Sequence, residues 1–219
     1  MTGLSSSPRL LKGGLILLDP ASGAVQRVIA LQYNPDQLTR TLAPQSTGAN
    51  ATTSEPLRLK GPPVETIKLD IQLDATDQLE FPGQNGVAVQ VGLHPQLAAL
   101  ELIIYPDSET LIRNNQLASI GTMEIAPVPA PLPLFVWSRN RVVPVRISDF
   151  SIVEESFDVN LNPVRARVSL SMRVMNINDL GFNDKGGHLF MAYQQQKEQL
   201  ARRARSGALA AMGLSAPPA

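Results

Sequence analysis

The chain has no cysteine, two histidines and one tryptophan in 219 residues. Without cysteine there is no disulfide scaffold and no thiolate to bind zinc or attack a substrate. His94 and His188 have no His-x-x-x-His or Glu-x-x-His spacing around them, so neither reads as a metal ligand. His94, placed before Pro95, reads as the start of a helix. Charge of one sign is also missing, because Lys+Arg and Asp+Glu each number 19. A nucleic-acid binder carries a basic excess, and this chain has none. A near-neutral chain also does little to keep its own copies apart. Long apolar runs are absent. Leu15 to Leu18 is too short for a signal peptide, and nothing approaches a membrane span. The expectation is a soluble cytoplasmic protein without membrane insertion. Neither a G-x-G-x-x-G nor a P-loop spacing occurs, and Gly181, Gly186 and Gly187 read as linker and helix-entry positions. No cofactor is expected.

What the chain does have is period-two alternation, the mark of a sheet with one buried face. It is cleanest between Arg141 and Asn176. Val143, Val145, Ile147 and then Phe150 and Ile152 mark one run. Val164, Ala166, Val168, Leu170, Met172 and Val174 mark the next. Between them, Phe157-Asp158-Val159-Asn160-Leu161-Asn162-Pro163 supplies turn chemistry that a strand cannot hold. This predicts a long β-hairpin. Further strands are predicted over 14–19, 25–33, 63–75 and 132–138. In the 63–75 strand, Ile67, Leu69, Ile71 and Leu73 alternate with Lys68, Asp70, Gln72 and Asp74. Leu97, Leu100 and Ile104 share a helical stripe that ends near Tyr105-Pro106. Residues 107–131 read as an extended connector because of Pro127, Pro129 and Pro131.

The expected organisation is a flexible N-terminus over 1–13, a β domain over 14–182, and a C-terminal helix with a disordered tail over 183–219. A polar stretch at 43–60 is predicted to be a surface loop. In the C-terminal helix, Leu189, Tyr193 and Leu200 need burial, and docking on a partner is the expected source of it. The fold class is mainly β: an antiparallel barrel or sandwich with one short helix and the C-terminal helix.

No catalytic set emerges. Glu154 and Glu155 are adjacent, so on a strand they point to opposite faces and cannot form a paired-carboxylate site. Asp70 and Asp74 share a face with Gln72 and read as solvated rather than metal-binding. Arg165 and Arg167 lie on the polar face of their strand. They read either as a wet face or as partners of carboxylates, Glu154 or a neighbouring subunit's acids. Trp137 reads as core. Arg202, Arg203 and Arg205 suit a helix C-terminus. The candidate interface residues are therefore Glu154, Glu155, Arg165, Arg167, Leu189, Tyr193 and Leu200.

Several of these segments carry a resemblance. Glu154-Glu155-Ser156-Phe157-Asp158 with Leu161-Asn162-Pro163-Val164-Arg165-Ala166-Arg167-Val168 resembles the tube-related domain of contractile injection systems. That domain occurs in LysM-bearing baseplate adaptors and tube initiators of phage-tail-like particles. Leu31 to Leu38, Gly61 to Ile67 running on to Asp77-Gln78-Leu79-Glu80, and Leu134-Phe135-Val136-Trp137 match in order. The match spans most of residues 15 to 180, and no LysM module follows it. The resemblance implies a tail-tube fold whose copies form a hexameric ring with continuous sheet around a lumen. It also implies a structural role without enzymatic turnover, as an adaptor or initiator at one end of the inner tube. The implied partners are further copies of the chain, the inner tube protein, and a baseplate hub or spike or a cap protein. Assembly would occur in the bacterial cytoplasm. A soluble oligomeric binding module outside any particle is the alternative.

Overall fold

A computed structural model describes residues 10–45, 59–119, 121 and 130–204. Most of the 43–60 loop, most of the N-terminal 1–13 segment, and the tail from 205 fall outside these residues. Strands β1 (Gly14–Leu18) and β2 (Val25–Ala30) form the opening hairpin, and β3 (Leu38–Ala43) and β4 (Val64–Asp74) follow. Four helices come next: α1 (Thr76–Leu79), α2 (Gly86–Val91), α3 (His94–Glu101) and α4 (Ser108–Ser119). Then come β5 (Leu132–Val136), the long β6 (Val142–Phe157) and β7 (Pro163–Val174), α5 (Ile177–Leu180) and α6 (Lys185–Arg203).

All strand pairs are antiparallel, in the order β2-β1-β5-β6-β7-β4-β3. The protein is therefore mainly β, but the sheet does not close into a barrel within one chain. β6 is shared by two halves. Its first residues, Val142–Pro144, pair with β5, and the rest pairs with β7 alone. The residues of β6 switch phase where Ser148 forms a bulge between Ile147 and Asp149. Its hydroxyl donates to the Ser171 carbonyl at 3.0 Å. The bulge re-aims the strand, so Val145 and Ile147 before it, and Phe150 and Ile152 after it, face one core.

That core is continuous across both halves. Leu15 and Leu17 from β1, Phe135 from β5, Ile67, Leu69 and Ile71 from β4, and Val168, Leu170 and Met172 from β7 belong to it. Leu97 and Leu100 of α3 cover it from one side, and Phe190 and Tyr193 of α6 reach it from another. Trp137 stacks on Phe135 with centroids 5.9 Å apart. Gly13 lies so close that a Cβ there would meet the Trp137 ring.

Two expectations are corrected. Six helices occur among the described residues instead of two. The 107–131 stretch, expected to be extended, begins as α4, and none of that helix's residues is buried. With no core stripe, α4 leaves no hydrophobic period to read. No helix of the described residues is long and apolar enough to cross a membrane.

Candidate functional site

The half-sheet β6-β7-β4-β3 has one face in the core and one largely exposed among the described residues, where α5 meets it only near Arg173. Its register fixes rows of side chains across the strands. One row runs Asp74–Arg165–Glu155, and another Gln72–Arg167–Val153. On the open face Arg165 Nε donates to Asp74 Oδ2 at 2.9 Å. Arg167 approaches Glu155 at 3.7 Å, with both side chains about half exposed. Ser169 donates to Asp70 Oδ1 at 2.6 Å, and Arg173 pairs with Asp179 at 2.9 Å. Partial burial pushes the Asp74 carboxyl up, but hydrogen bonds from Thr76 and the contact with Arg165 outweigh it and hold it below the ordinary value.

The structure brings Arg165, Arg167 and Glu155 together and leaves Glu154 out. Glu154 stands opposite the buried Ala166, on the core side of β6, and is itself exposed. The pairing of the arginines with Glu154 is thus corrected: Arg167 takes Glu155 and Arg165 takes Asp74, both within one chain. Adjacent strand residues point to opposite faces, which separates the two glutamates.

Among the described residues both edges of this half-sheet are unpaired. β3 is the terminal strand of the order, and beyond Pro144 no described strand pairs with the second side of β6. Exposed strand edges present rows of N–H and C=O groups that template pairing with another chain. The β6–β7 turn is closed by hydrogen bonds of its own. Asp158 Oδ1 accepts from the backbone N–H groups of Asn160 and Asn162, and Oδ2 from the Asn162 side chain, all at 2.8 Å. The Asn162 contacts come first among the causes that lower the Asp158 pKa. Leu161 sits at φ 65°, unusual for a branched residue, and Val159 and Leu161 are 98% and 77% exposed.

The C-terminal helix also departs from expectation. Tyr193 is 3% exposed and buried against its own chain, Leu189 is half-buried, and Leu200 is exposed. Docking on a partner is not what buries Tyr193. A cluster that the alternation obscured holds the helix instead. Glu65 of β4, 3% exposed, accepts from Arg40 Nε of β3 at 2.7 Å and from the Tyr193 hydroxyl at 3.3 Å. Arg40 also donates to the Tyr193 oxygen at 3.1 Å. Lys197 lies 4.0 Å from Glu65 and 4.3 Å from the centre of the Tyr193 ring. Burial, then the Glu65 carboxylate, pushes the Tyr193 phenol up, and burial pushes the Lys197 ammonium down. The sequence signal was there, because Glu65 is in phase with Ile67, Leu69, Ile71 and Leu73.

Elsewhere, a cleft of about 820 Å³ is lined by Pro131, Leu132, Val145, Ile147, Met175 and Leu180, together with Arg146 and Lys185. No group of three or more His, Cys, Asp or Glu side chains among the described residues could hold a metal ion. The arrangement on the half-sheet offers strand edges, a hydrogen-bonded polar face and an apolar turn, which are means of association. No protein-family model and no curated protein matches this chain.

Proposed function

We propose that the chain is a structural ring subunit, an adaptor or initiator at one end of the inner tube of a phage-tail-like contractile injection particle. The observation that carries this reading is the pair of edges on the half-sheet β6-β7-β4-β3 that stay free among the described residues. With four antiparallel strands, β6 and β3 run in opposite senses. The β3 edge of an identically oriented neighbour therefore meets β6 antiparallel, and the alternation continues from copy to copy. Such a head-to-tail contact makes a ring where its rotation closes. Six copies would bring 24 strands together. At about 4.8 Å per strand that gives a perimeter of roughly 115 Å, wide enough for an open lumen.

The polar face of short hydroxyls and paired charges suits a wetted wall, since it needs no further cover. Val159 and Leu161 project along the strand direction at one end of the half-sheet, where a stacked layer would meet them. One end of the ring would template the tube protein and the other would receive a hub or a cap. The mechanism is shape matching.

Mass measurement of the purified chain, alone and mixed with the tube protein of the same source, tests this. A hexamer, or a ring formed only with the tube protein, is the expected result. A monomer that binds no tail component defeats the reading. The 820 Å³ cleft favours a second reading, a soluble binding module, and a persistent monomer retaining a small molecule would support that one.

A further inference from the structure

The connection between β2 and β3 is tied to the end of β4. Gln32 accepts from the Asp74 N–H at 2.9 Å and donates to the Asp74 carbonyl at 2.6 Å. This places Gln32 on the row Asp74–Arg165–Glu155, at the flank opposite β6. The next residue, Tyr33, is 45% exposed. On the other flank, Val153 and Phe157 lie on either side of Glu155 along β6, and each is half exposed.

We propose that in the assembled ring Tyr33 of one copy packs onto the Val153–Phe157 segment of the next. The inference rests on the ring reading and assigns the side-chain contact that locks it. A second copy is the occupant because the two flanks match in strand sense and, with rows in line, in height. Edge pairing alone would not suffice. β3 offers six residues of main chain, while a stable interface buries at least about 1,000 Å² and rests on a few large anchors. A tyrosine between a valine and a phenylalanine supplies such an anchor. It also sets the register, which backbone hydrogen bonds alone leave free to slip by two residues.

The absence of cysteine makes the test direct. Tyr33→Cys combined with Val153→Cys, and separately with Phe157→Cys, is expressed as the full chain in the cells that make it and treated with a short bismaleimide. The pairing Tyr33→Cys with Arg146→Cys, at the far end of the β6 edge, serves as control. All four positions are exposed, and circular dichroism checks folding. A ladder of covalent multimers from the first two pairs but not from the control is expected. Oligomers by native mass without a ladder, or a ladder from the control alone, overturn the Tyr33 contact and leave the ring standing. A wild-type chain that stays monomeric, alone and with the tube protein, overturns the ring and this contact together.

Discussion

Glu65 shows how far a single residue can depart from its strand's pattern when partners surround it. A lone buried carboxylate is strongly disfavoured, but here Arg40, Tyr193 and Lys197 converge on it from β3 and α6. Removing it leaves two cations facing each other beneath the helix. Glu65→Ala is expected to lower stability by about 2 kcal/mol in urea unfolding, less than a fully buried pair because Arg40 and Lys197 keep some solvent contact. Arg167→Ala breaks only a half-exposed pair and should cost about 0.5 kcal/mol or less. Asp158 gives a pH test. Its pKa is lowered in the fold, so its stabilisation is full above the usual carboxylate value and disappears as pH falls through the lower folded value. The difference in melting temperature between wild type and Asp158→Ala should therefore be constant near neutrality and shrink below about pH 4. A difference unchanged in strong acid would mean that the carboxylate does not hold the turn.

At the scale of elements, α6 is part of the fold. Phe190 and Tyr193 enter the core, and Gly186 and Gly187 are buried where the helix begins. Truncation after Asp184 should thus destabilise the domain as well as any assembly, seen as an earlier urea midpoint and greater protease sensitivity. The elements legible in the sequence were those with one dry and one wet face. β4 and β7 alternate without a break, and the shift from Ile147 to Phe150 in the β6 pattern is the bulge at Ser148. The turn at 157–163 was legible from Asn and Pro. β3 was not, because only Leu38 of it packs against the core and Arg40 occupies an inward position. The α6 cluster was hidden by distance, since Arg40 and Tyr193 are 153 residues apart. The apolar turn makes a separate prediction. Val159→Asp combined with Leu161→Asp removes no core contact, so stability should stay within about 0.5 kcal/mol. If copies form the proposed ring, its stacking on the next layer should be lost, visible as free rings in electron micrographs.

For the whole molecule, the unpaired edges are the feature that most needs a physical account. A six-residue β3 and the long open side of β6 are liabilities in a monomer. Neither edge carries a proline after Pro144, and the β6 edge is interrupted by the bulge at Ser148 and by Ser156 at φ 55°. In an antiparallel ladder consecutive residues of an edge strand direct their main-chain groups alternately inward and outward. Proline placed in turn at Thr41 and at Leu42 must therefore strike the bond to β4 once and the outer edge once. The variant that loses the β4 bond should unfold earlier. The other should keep the melting temperature of the wild type and yet sediment as a monomer. If both variants still form the wild-type oligomer, β3 is not the strand through which copies join, and the continuous-sheet ring fails with it.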